Sequence, residues 1–263
     1  MYANNLLEAV RANRLCKSFG IKISTNGQVV QIARNAGFDC LFIDLEHGWL
    51  SVAEAANLCH VGLLAGITPF VRVPHQCGNG FVQRVLDGGA MGVIFPHVES
   101  AEDAKKAVDI CKYPPLGCRS ITGQAPLFGM QVLPPAELME RTNRSGSTVL
   151  VMLESAKAVD SADKIAAVEG VDAIVVGSQD LCVDLGLPGQ VDSAQVRSAL
   201  EAVSEACRDH GKTFGVAGIY NNPTLQDWAI NTLGARFLLV QLDVSLLTLG
   251  GAQAVAAVPG VKQ

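Results

Sequence analysis

The amino-acid sequence predicts an α/β protein that folds as a (β/α)8 TIM barrel. Eight short apolar runs of strand length alternate with longer segments of helical periodicity, and this alternation is typical of a parallel sheet with helices outside it. A doubly wound open sheet also fits the alternation. Eight strands in 263 residues suit a closed barrel better. We therefore expect a single barrel domain over residues 1–263.

The eight predicted strands follow one another along the whole chain. They are IKIS (21–24), CLFID (40–44), PFVRV (69–73), GVIFP (92–96), TVLVML (148–153), AIVVG (173–177), KTFGVA (212–217) and RFLLVQL (236–242). The segments between them, such as 52–66, 101–112 and 192–211, have apolar side chains at helical spacing with acidic starts or glycine stops, which predicts helices.

Both ends of the chain and one internal segment depart from the repeated strand–helix unit. Residues 1–20 have scattered charges and no continuous apolar core, which predicts an amphipathic helix rather than a targeting peptide. Residues 113–135 are too long and too rich in Pro and Gly for an ordinary connection, so a functional loop is expected. Residues 244–261 contain no charged side chain, and a helix there must be buried on every face. We expect it to pack into a neighbouring subunit.

The composition narrows the possible partners and the compartment. Hydrophobic residues make up 49% of the chain and charged residues 17%, which favours a homo-oligomer. A net charge of -5 without a basic cluster argues against nucleic acid, and polar residues interrupt the most apolar stretch, so no membrane span is expected. Eight scattered cysteines without a CxxC motif indicate reduced thiols in a cytoplasmic protein.

Charged side chains stand at the carboxyl ends of four predicted strands, where a barrel has its catalytic mouth. They are Asp44, Glu46 and His47 after the second strand, Arg72 in the third, Glu154 after the fifth and Asp180 after the sixth. Taken alone, each carboxylate here is equally well explained as a helix cap. Four strands ending in charge together predict an active site.

The residue types at this mouth point to enolate chemistry. Glu154 and Asp180 offer oxygen ligands that suit Mg²⁺ or Mn²⁺ with open positions for a chelating substrate. Arg72 has a planar fork for a carboxylate or an oxyanion, and the imidazole of His47 titrates in the range of a general base. His75 and His97 follow the third and fourth strands and are weaker candidates for the same mouth. Structural roles are expected for the two remaining histidines, His60 and His210.

Several separated motifs resemble the HpcH/HpaI aldolase/citrate lyase family over about residues 18–250. They are AGFDCLFIDLEHG, PFVRVP, VLDGGAMGVIFPHVESAEDAKKAVDICKYPPLGCRS, VLVMLES, VEGVDAIVVGSQDLCVDLG and GKTFGVAG. The resemblance implies a (β/α)8 fold whose last helix is exchanged between subunits, and a trimer or a hexamer made of two trimers. It also implies a class II aldolase that depends on a divalent metal ion, Mg²⁺, Mn²⁺ or Co²⁺.

The resemblance also assigns roles to individual residues. Glu154 and Asp180 match the metal ligands, with Asp44 and Glu46 around the metal-bound waters. His47 matches the catalytic base, and Arg72 matches the residue that binds the keto oxygen of pyruvate and stabilises its enolate. Asp87 matches an aspartate that partners the histidine across a subunit interface. The backbone of Gly177, Ser178 and Gln179 matches the segment that holds the pyruvate carboxylate.

The sequence departs from the family pattern near the expected aldehyde pocket. Met152 replaces a glutamine that often precedes the metal-binding glutamate, and residues 120–140 contain no arginine. The uncharged segment 122–134 therefore leads us to expect uncharged, apolar aldehydes in preference to acidic ones.

Together these observations predict a metal-dependent carbon–carbon lyase. It would reversibly cleave a 4-hydroxy-2-oxoacid to pyruvate, or a close 2-oxoacid, and an aldehyde through an enolate held at the metal. A 2-oxoacid decarboxylase and an acyl-CoA ester lyase on the same scaffold are the alternatives, although no cationic cluster for CoA phosphates stands out. A binding protein without turnover is a further alternative from another class.

Overall fold

The computed structural model describes residues 1–261 and shows eight parallel strands closed into a barrel in chain order, with the eighth strand paired to the first. The predicted fold class is confirmed. The strands are β1 (Cys16–Ile21), β2 (Cys40–Asp44), β3 (Thr68–Arg72), β4 (Gly92–Phe95), β5 (Thr148–Leu153), β6 (Ala173–Gly177), β7 (Thr213–Ala217) and β8 (Phe237–Leu242).

The helices surround this barrel in the described part of the chain. They are α1 (Asn5–Arg11), α2 (Gln28–Asn35), α3 (Val52–Ala65), α4 (Asn79–Asp87), α5 (Ala101–Cys111), α6 (Pro135–Arg141), α7 (Ala156–Asp160), α8 (Ala162–Ala166), α9 (Ser178–Asp184), α10 (Ala194–Asp209), α11 (Pro223–Asp227) and α12 (Asp243–Ala256). A single 3-10 turn spans Pro126–Phe128, and π-helical turns extend α6 and α11. No helix of the described chain is long and apolar enough to cross a membrane.

The first strand lies five residues earlier than the predicted run 21–24, so that prediction was wrong. Helix α1 ends at Arg11, and Asn13 then takes a left-handed conformation with φ 52°. This break leaves CKSFGI free to form β1. The other seven strands match their predicted runs to within one residue at each end, because their apolar runs contain no competing helical pattern.

Successive strand residues alternate between two hydrophobic layers. In β2, Leu41 and Ile43 pack under the surrounding helices, whereas Cys40 and Phe42 belong to the layer that fills the barrel. Asp44 continues the inward row at the carboxyl end of the strand. The same alternation makes the inward side chains at the ends of other strands converge on one mouth.

The opposite, amino-terminal end of the barrel is covered by α1 and by the irregular segment 113–135. The Asn4 side chain donates to Thr148 Oγ1 at 2.9 Å, at the first residue of β5. The backbone N–H of Tyr2 donates to the Leu127 carbonyl at 3.0 Å, and Leu127 joins the layer that fills the barrel. Residues 125–130 therefore lie at the end away from the mouth, and the expectation that segment 122–134 lines an aldehyde pocket was wrong.

Helix α12 lies on the outside with its apolar side chains in solvent. Asp243, at its start, is buried, but the helix has no other buried residue. Leu247 is 64% exposed and Val255 is 76% exposed. Other exposed apolar side chains, such as Trp49 and Leu64, are spread over different elements, whereas α12 carries several of them on one helix, which requires an explanation at the level of assembly. The eight cysteines are free thiols.

Candidate active site

Arg72 is the centre of a charge network at the ends of β2 and β3. Its Nε and Nη2 donate to the two oxygens of Asp44 at 3.0 and 2.6 Å, which is the bidentate geometry that a guanidinium favours. Its Nη1 lies 3.1 Å from Glu46 Oε2. Strand register explains the pair, since Asp44 and Arg72 are directly opposite each other in the β2–β3 ladder.

Both partners are buried, and each stabilises the charge of the other. Burial by itself would raise the pKa of Asp44, but the hydrogen bonds and positive charge of Arg72 outweigh it and hold that pKa below its usual value. Burial likewise opposes the charge of Arg72, while Asp44 and Glu46 together raise the pKa of Arg72. The pair is therefore a fixed ion pair near neutral pH.

Glu154 follows β5 and presents a buried carboxylate to the same mouth. Its Oε2 accepts a 2.9 Å hydrogen bond from the backbone N–H of His97. A Cβ at position 177 would come within 2.4 Å of Glu154 Oε1, so Gly177 is required for this approach. Burial, reinforced by repulsion from Asp180, raises the pKa of Glu154 despite the attraction of His97 and Arg72.

The turn after β6 supplies the wall beside Glu154. Asp180 lies in the first turn of α9, where Gly177 rather than Asp180 is the capping residue. The Ser178 hydroxyl is buried without a hydrogen-bond partner among the described residues. The Gln179 side chain donates to the Gly218 carbonyl and ties α9 to the end of β7.

A cavity of about 210 Å³ lies between these groups. Its lining includes Lys22, Phe42, Asp44, His47, Arg72, Met152, Glu154, Gly177, Ser178, Gln179, Asp180, Ala217, Gly218, Tyr220, Leu239 and Leu242. The His47 side chain is 53% exposed, and its Nε2 lies 3.8 Å from Glu46 Oε2. Its backbone N–H donates to Asp44. The imidazole therefore reaches both solvent and the cavity, as a proton-transfer group must.

Glu154 and Asp180 fit a hard divalent cation. Both line the cavity, and their mutual repulsion is the kind of unfavourable term that a cation between two carboxylates removes. Among the described residues, no group of three or more His, Cys, Asp or Glu side chains is placed so that it could hold a metal ion. Two protein ligands would leave the other coordination positions to water and substrate oxygens.

His97 and His75 lie beside the site rather than in it. The two His97 ring nitrogens are 3.5 Å from Glu46 Oε1 and 3.5 Å from Glu154 Oε2, so this imidazole bridges two carboxylates. The rings of His75 and His97 meet edge to face at 5.2 Å, and both line a separate neighbouring cavity. Of the other histidines, His210 contacts Asp163 at 2.7 Å and His60 is exposed on α3.

Asp87 does not line the cavity of its own chain. It ends α4 and accepts a 2.8 Å hydrogen bond from Arg119, whose Nε and Nη1 have no other partner among the described residues. Its expected role at a subunit interface stays a prediction.

Among the lining residues that sequence reasoning did not identify, two have polar side chains, Lys22 and Tyr220. Burial raises the pKa of Tyr220 to about 12, so its hydroxyl is a neutral donor. Lys22 was hidden because the first strand was placed over it. The signal that was available is a lysine within an otherwise apolar run.

The fold is a (β/α)8 barrel, and a cavity lined by charged side chains lies at the carboxyl ends of its strands. A model of the HpcH/HpaI aldolase/citrate lyase family matches residues 22–224, and the chain belongs to this family. The sequence is 54% identical to 4-hydroxy-4-methyl-2-oxoglutarate aldolase tasA of Hapsidospora irregularis, over 99% of this chain and 97% of that one. It is 52% identical to 4-hydroxy-4-methyl-2-oxoglutarate aldolase cghB of Chaetomium globosum, over 97% and 95%.

A solved structure shares the fold over nearly the whole length of both chains. The crystal structure of an HpcH/HpaI aldolase from Desulfitobacterium hafniense DCB-2 superposes with a TM-score of 0.90 at 32% identity, covering 99% of this chain and 100% of that one. The family predicted from the sequence motifs is confirmed, and the relatives' names agree with the predicted carbon–carbon lyase of the aldolase type.

Proposed function

We propose that this chain is a divalent-metal-dependent aldolase that reversibly cleaves a 4-hydroxy-2-oxoacid to pyruvate and a carbonyl compound. The observation that carries the proposal is the single small cavity in which the Asp44–Arg72 pair, His47, Glu154 and Asp180 converge. The names of the two relatives extend the proposal to the substrate 4-hydroxy-4-methyl-2-oxoglutarate, whose cleavage gives two molecules of pyruvate.

The protein groups divide the reaction between them. His47 removes the proton of the C4 hydroxyl, the C3–C4 bond breaks, and its electron pair passes into the enolate of pyruvate, which is then protonated at C3. Arg72 donates to the C2 oxygen as negative charge develops there. The backbone amides at Gly177, Ser178 and Gln179 hold the C1 carboxylate, and Asp44 and Glu46 keep the guanidinium in position.

Glu154 and Asp180 would hold Mg²⁺, Mn²⁺ or Co²⁺, and such a cation supplies Lewis acidity to a chelating 2-oxoacid when bound. The cavity is poorly suited to an acyl-CoA ester, because its described lining contains one lysine, Lys22, and one arginine, Arg72. An acyl-CoA lyase would require a cationic cluster for the CoA phosphates.

Exchange of the C3 protons of pyruvate with solvent tests the proposal without a choice of acceptor. We expect exchange in the presence of Mg²⁺ or Mn²⁺, loss of exchange with chelator, and at least a hundredfold loss in Arg72→Ala, since removing a charge partner of the enolate costs roughly 3 kcal/mol. His47→Ala should mainly slow the cleavage of the 4-hydroxy-2-oxoacid.

Matched controls are Arg208→Ala and His60→Ala, which remove the same side chains from exposed helical positions. Undiminished exchange in the metal-free protein or in Arg72→Ala would contradict the proposal.

We further propose a homo-oligomer built from trimers in which Asp87 completes a neighbouring site. The free cysteines are the state that a reducing cytoplasm maintains.

A further inference from the structure

Lys22 occupies an inward position at the mouth of the barrel. Alternate residues of β1 face the barrel interior, as shown by Cys16 in the inner layer and by Gly20, whose added Cβ would strike Leu242. Phe19 and Ile21 face the helices instead. Lys22 follows β1 directly, continues the inward row and lines the active-site cavity.

The backbone of Lys22 is fixed, whereas its ammonium group is free. Its N–H donates to Asp243 Oδ1 at 3.0 Å, and its carbonyl accepts a hydrogen bond from Trp49. Among the residues that the structure describes, no carboxylate or other acceptor pairs with its Nζ. Arg72, the other strongly basic side chain of the lining, is oriented by Asp44 and Glu46 and serves the C2 oxygen in the proposed reaction.

The position of Lys22 in the barrel suits the far end of a substrate. In a barrel of eight strands closed in chain order, β1 stands opposite β5, so Lys22 faces the wall that carries Glu154. If the C1 and C2 oxygens of a 2-oxoacid lie by Glu154 and Asp180, as the proposed function requires, its remaining carbons extend toward the opposite wall at β1. A second carboxylate there would be costly to bury without a positive partner.

We propose that Lys22 binds the distal carboxylate of a dicarboxylic 4-hydroxy-2-oxoacid and so determines the specificity of this site. The inference rests on the proposed aldolase function and names the substrate class within it. His97 is a poorer partner for this carboxylate, because its ring already lies between Glu46 and Glu154 and lines a different cavity.

The test compares two substrates that differ at the distal group alone. One is 4-hydroxy-4-methyl-2-oxoglutarate, and the other is 4-hydroxy-4-methyl-2-oxopentanoate, in which a methyl group replaces the distal carboxylate and cleavage gives pyruvate and acetone. In Lys22→Met we expect the ratio of kcat/KM for the first substrate to kcat/KM for the second to fall roughly ten- to a hundredfold, the usual effect of one charge-assisted hydrogen bond. Lys22→Arg should restore much of the ratio.

Lys17→Met is the matched control, because Lys17 is an exposed lysine at the other end of the same strand. It should change neither kcat/KM. An equal loss for both substrates in Lys22→Met would show a structural role and overturn the inference, and so would an unchanged ratio. Pyruvate proton exchange separates this failure from failure of the proposed function. A wild-type chain that neither exchanges protons nor cleaves either substrate overturns the function, whereas exchange with an unchanged ratio overturns the role of Lys22 alone.

Discussion

At the scale of single residues, Asp44 couples the active site to stability. Its side chain is 1% exposed and gives both oxygens to Arg72. A buried charge whose partner is removed is strongly destabilising, because it keeps its desolvation cost and loses its compensation. The ion pair that would orient Arg72 in the proposed reaction is therefore also one whose loss destabilises the fold.

Asp44→Asn should lower the free energy of unfolding by about 3–5 kcal/mol at pH 7. Because Arg72 holds the folded-state pKa of Asp44 below its ordinary value of 3.8, the stabilisation is fully present above that ordinary value and is lost as the pH falls through the folded-state pKa. Urea unfolding in the presence of a chelator measures the free energy of unfolding of both proteins as a function of pH. The gap between wild type and variant should narrow below about pH 4, and a constant gap down to pH 2 would contradict the assignment.

Glu154 differs from Asp44, because its ionised carboxylate destabilises the folded chain. Burial and the nearby Asp180 raise its pKa, so ionising it at neutral pH works against folding in the absence of a cation. Glu154→Gln should therefore raise the Tm of the chelated protein by roughly 2–4 °C for each 1 kcal/mol recovered. We expect Mn²⁺ to raise the Tm of the wild type and to leave the Tm of this variant unchanged.

A lower Tm for chelated Glu154→Gln would mean that the carboxylate makes a favourable contact that the amide cannot replace. Asp163→Asn serves as the control, since Asp163 is an exposed carboxylate that contacts His210 away from the site. Its Tm should respond to Mn²⁺ as the wild type does.

At the scale of elements, the sequence located the charged residues at the mouth of the barrel better than it located β1 and the segment 113–135. Asp44, Glu46, His47 and Arg72 stood out because charges interrupt apolar runs, and a parallel barrel brings the carboxyl ends of strands together whatever the connections do. The placement of β1 failed because CKSFG continued the helical pattern of the amino terminus, and the turn at Asn13 has no strong sequence signal.

The segment 113–135 shows a different limit. Its Pro, Gly and apolar residues predict an irregular and partly buried loop, but composition does not specify which end of a barrel such a loop covers. That choice depends on contacts distant in sequence, such as Tyr2 with Leu127. Because the segment 122–134 does not line the cavity, it gives no support to the expectation of an uncharged acceptor. Met152 does line the cavity, as expected.

The cover formed by α1 should stabilise the barrel without affecting catalysis. Asn4 caps α1 and donates to Ser145 O and Thr148 Oγ1 at 2.9 Å each. Asn4→Ala should cost about 2–3 kcal/mol, the sum of a lost cap and unsatisfied buried groups, and kcat/KM should stay unchanged because the site lies at the other end. Thermal unfolding and steady-state kinetics measure the two quantities. Asn35→Ala, at an exposed position, controls for loss of the amide, and a large kinetic effect of Asn4→Ala would contradict this separation.

At the scale of the whole molecule, α12 is the surface that the isolated chain leaves unexplained. Leu246, Leu247, Leu249 and Val255 are exposed by 43–76% on one helix that has no charged residue after Asp243. An apolar surface of this extent is uncommon on a monomer and typical of an interface. A second copy of the chain is the occupant that we expect, because the prediction from sequence was a helix buried on every face.

Light scattering at micromolar concentration should therefore show an oligomer built from trimers. The double variant Leu247→Glu/Val255→Glu places two charges in the interface, and burying each without a partner is costly, so it should run as a monomer with a native circular dichroism spectrum. Gln31→Glu, which adds a charge at an exposed position of α2, should leave the oligomer intact.

If Asp87 completes a neighbouring site, the monomeric variant should also lose aldol cleavage while its cavity residues stay unchanged. A wild-type monomer would contradict the assembly, and a fully active monomeric variant would remove Asp87 from the reaction.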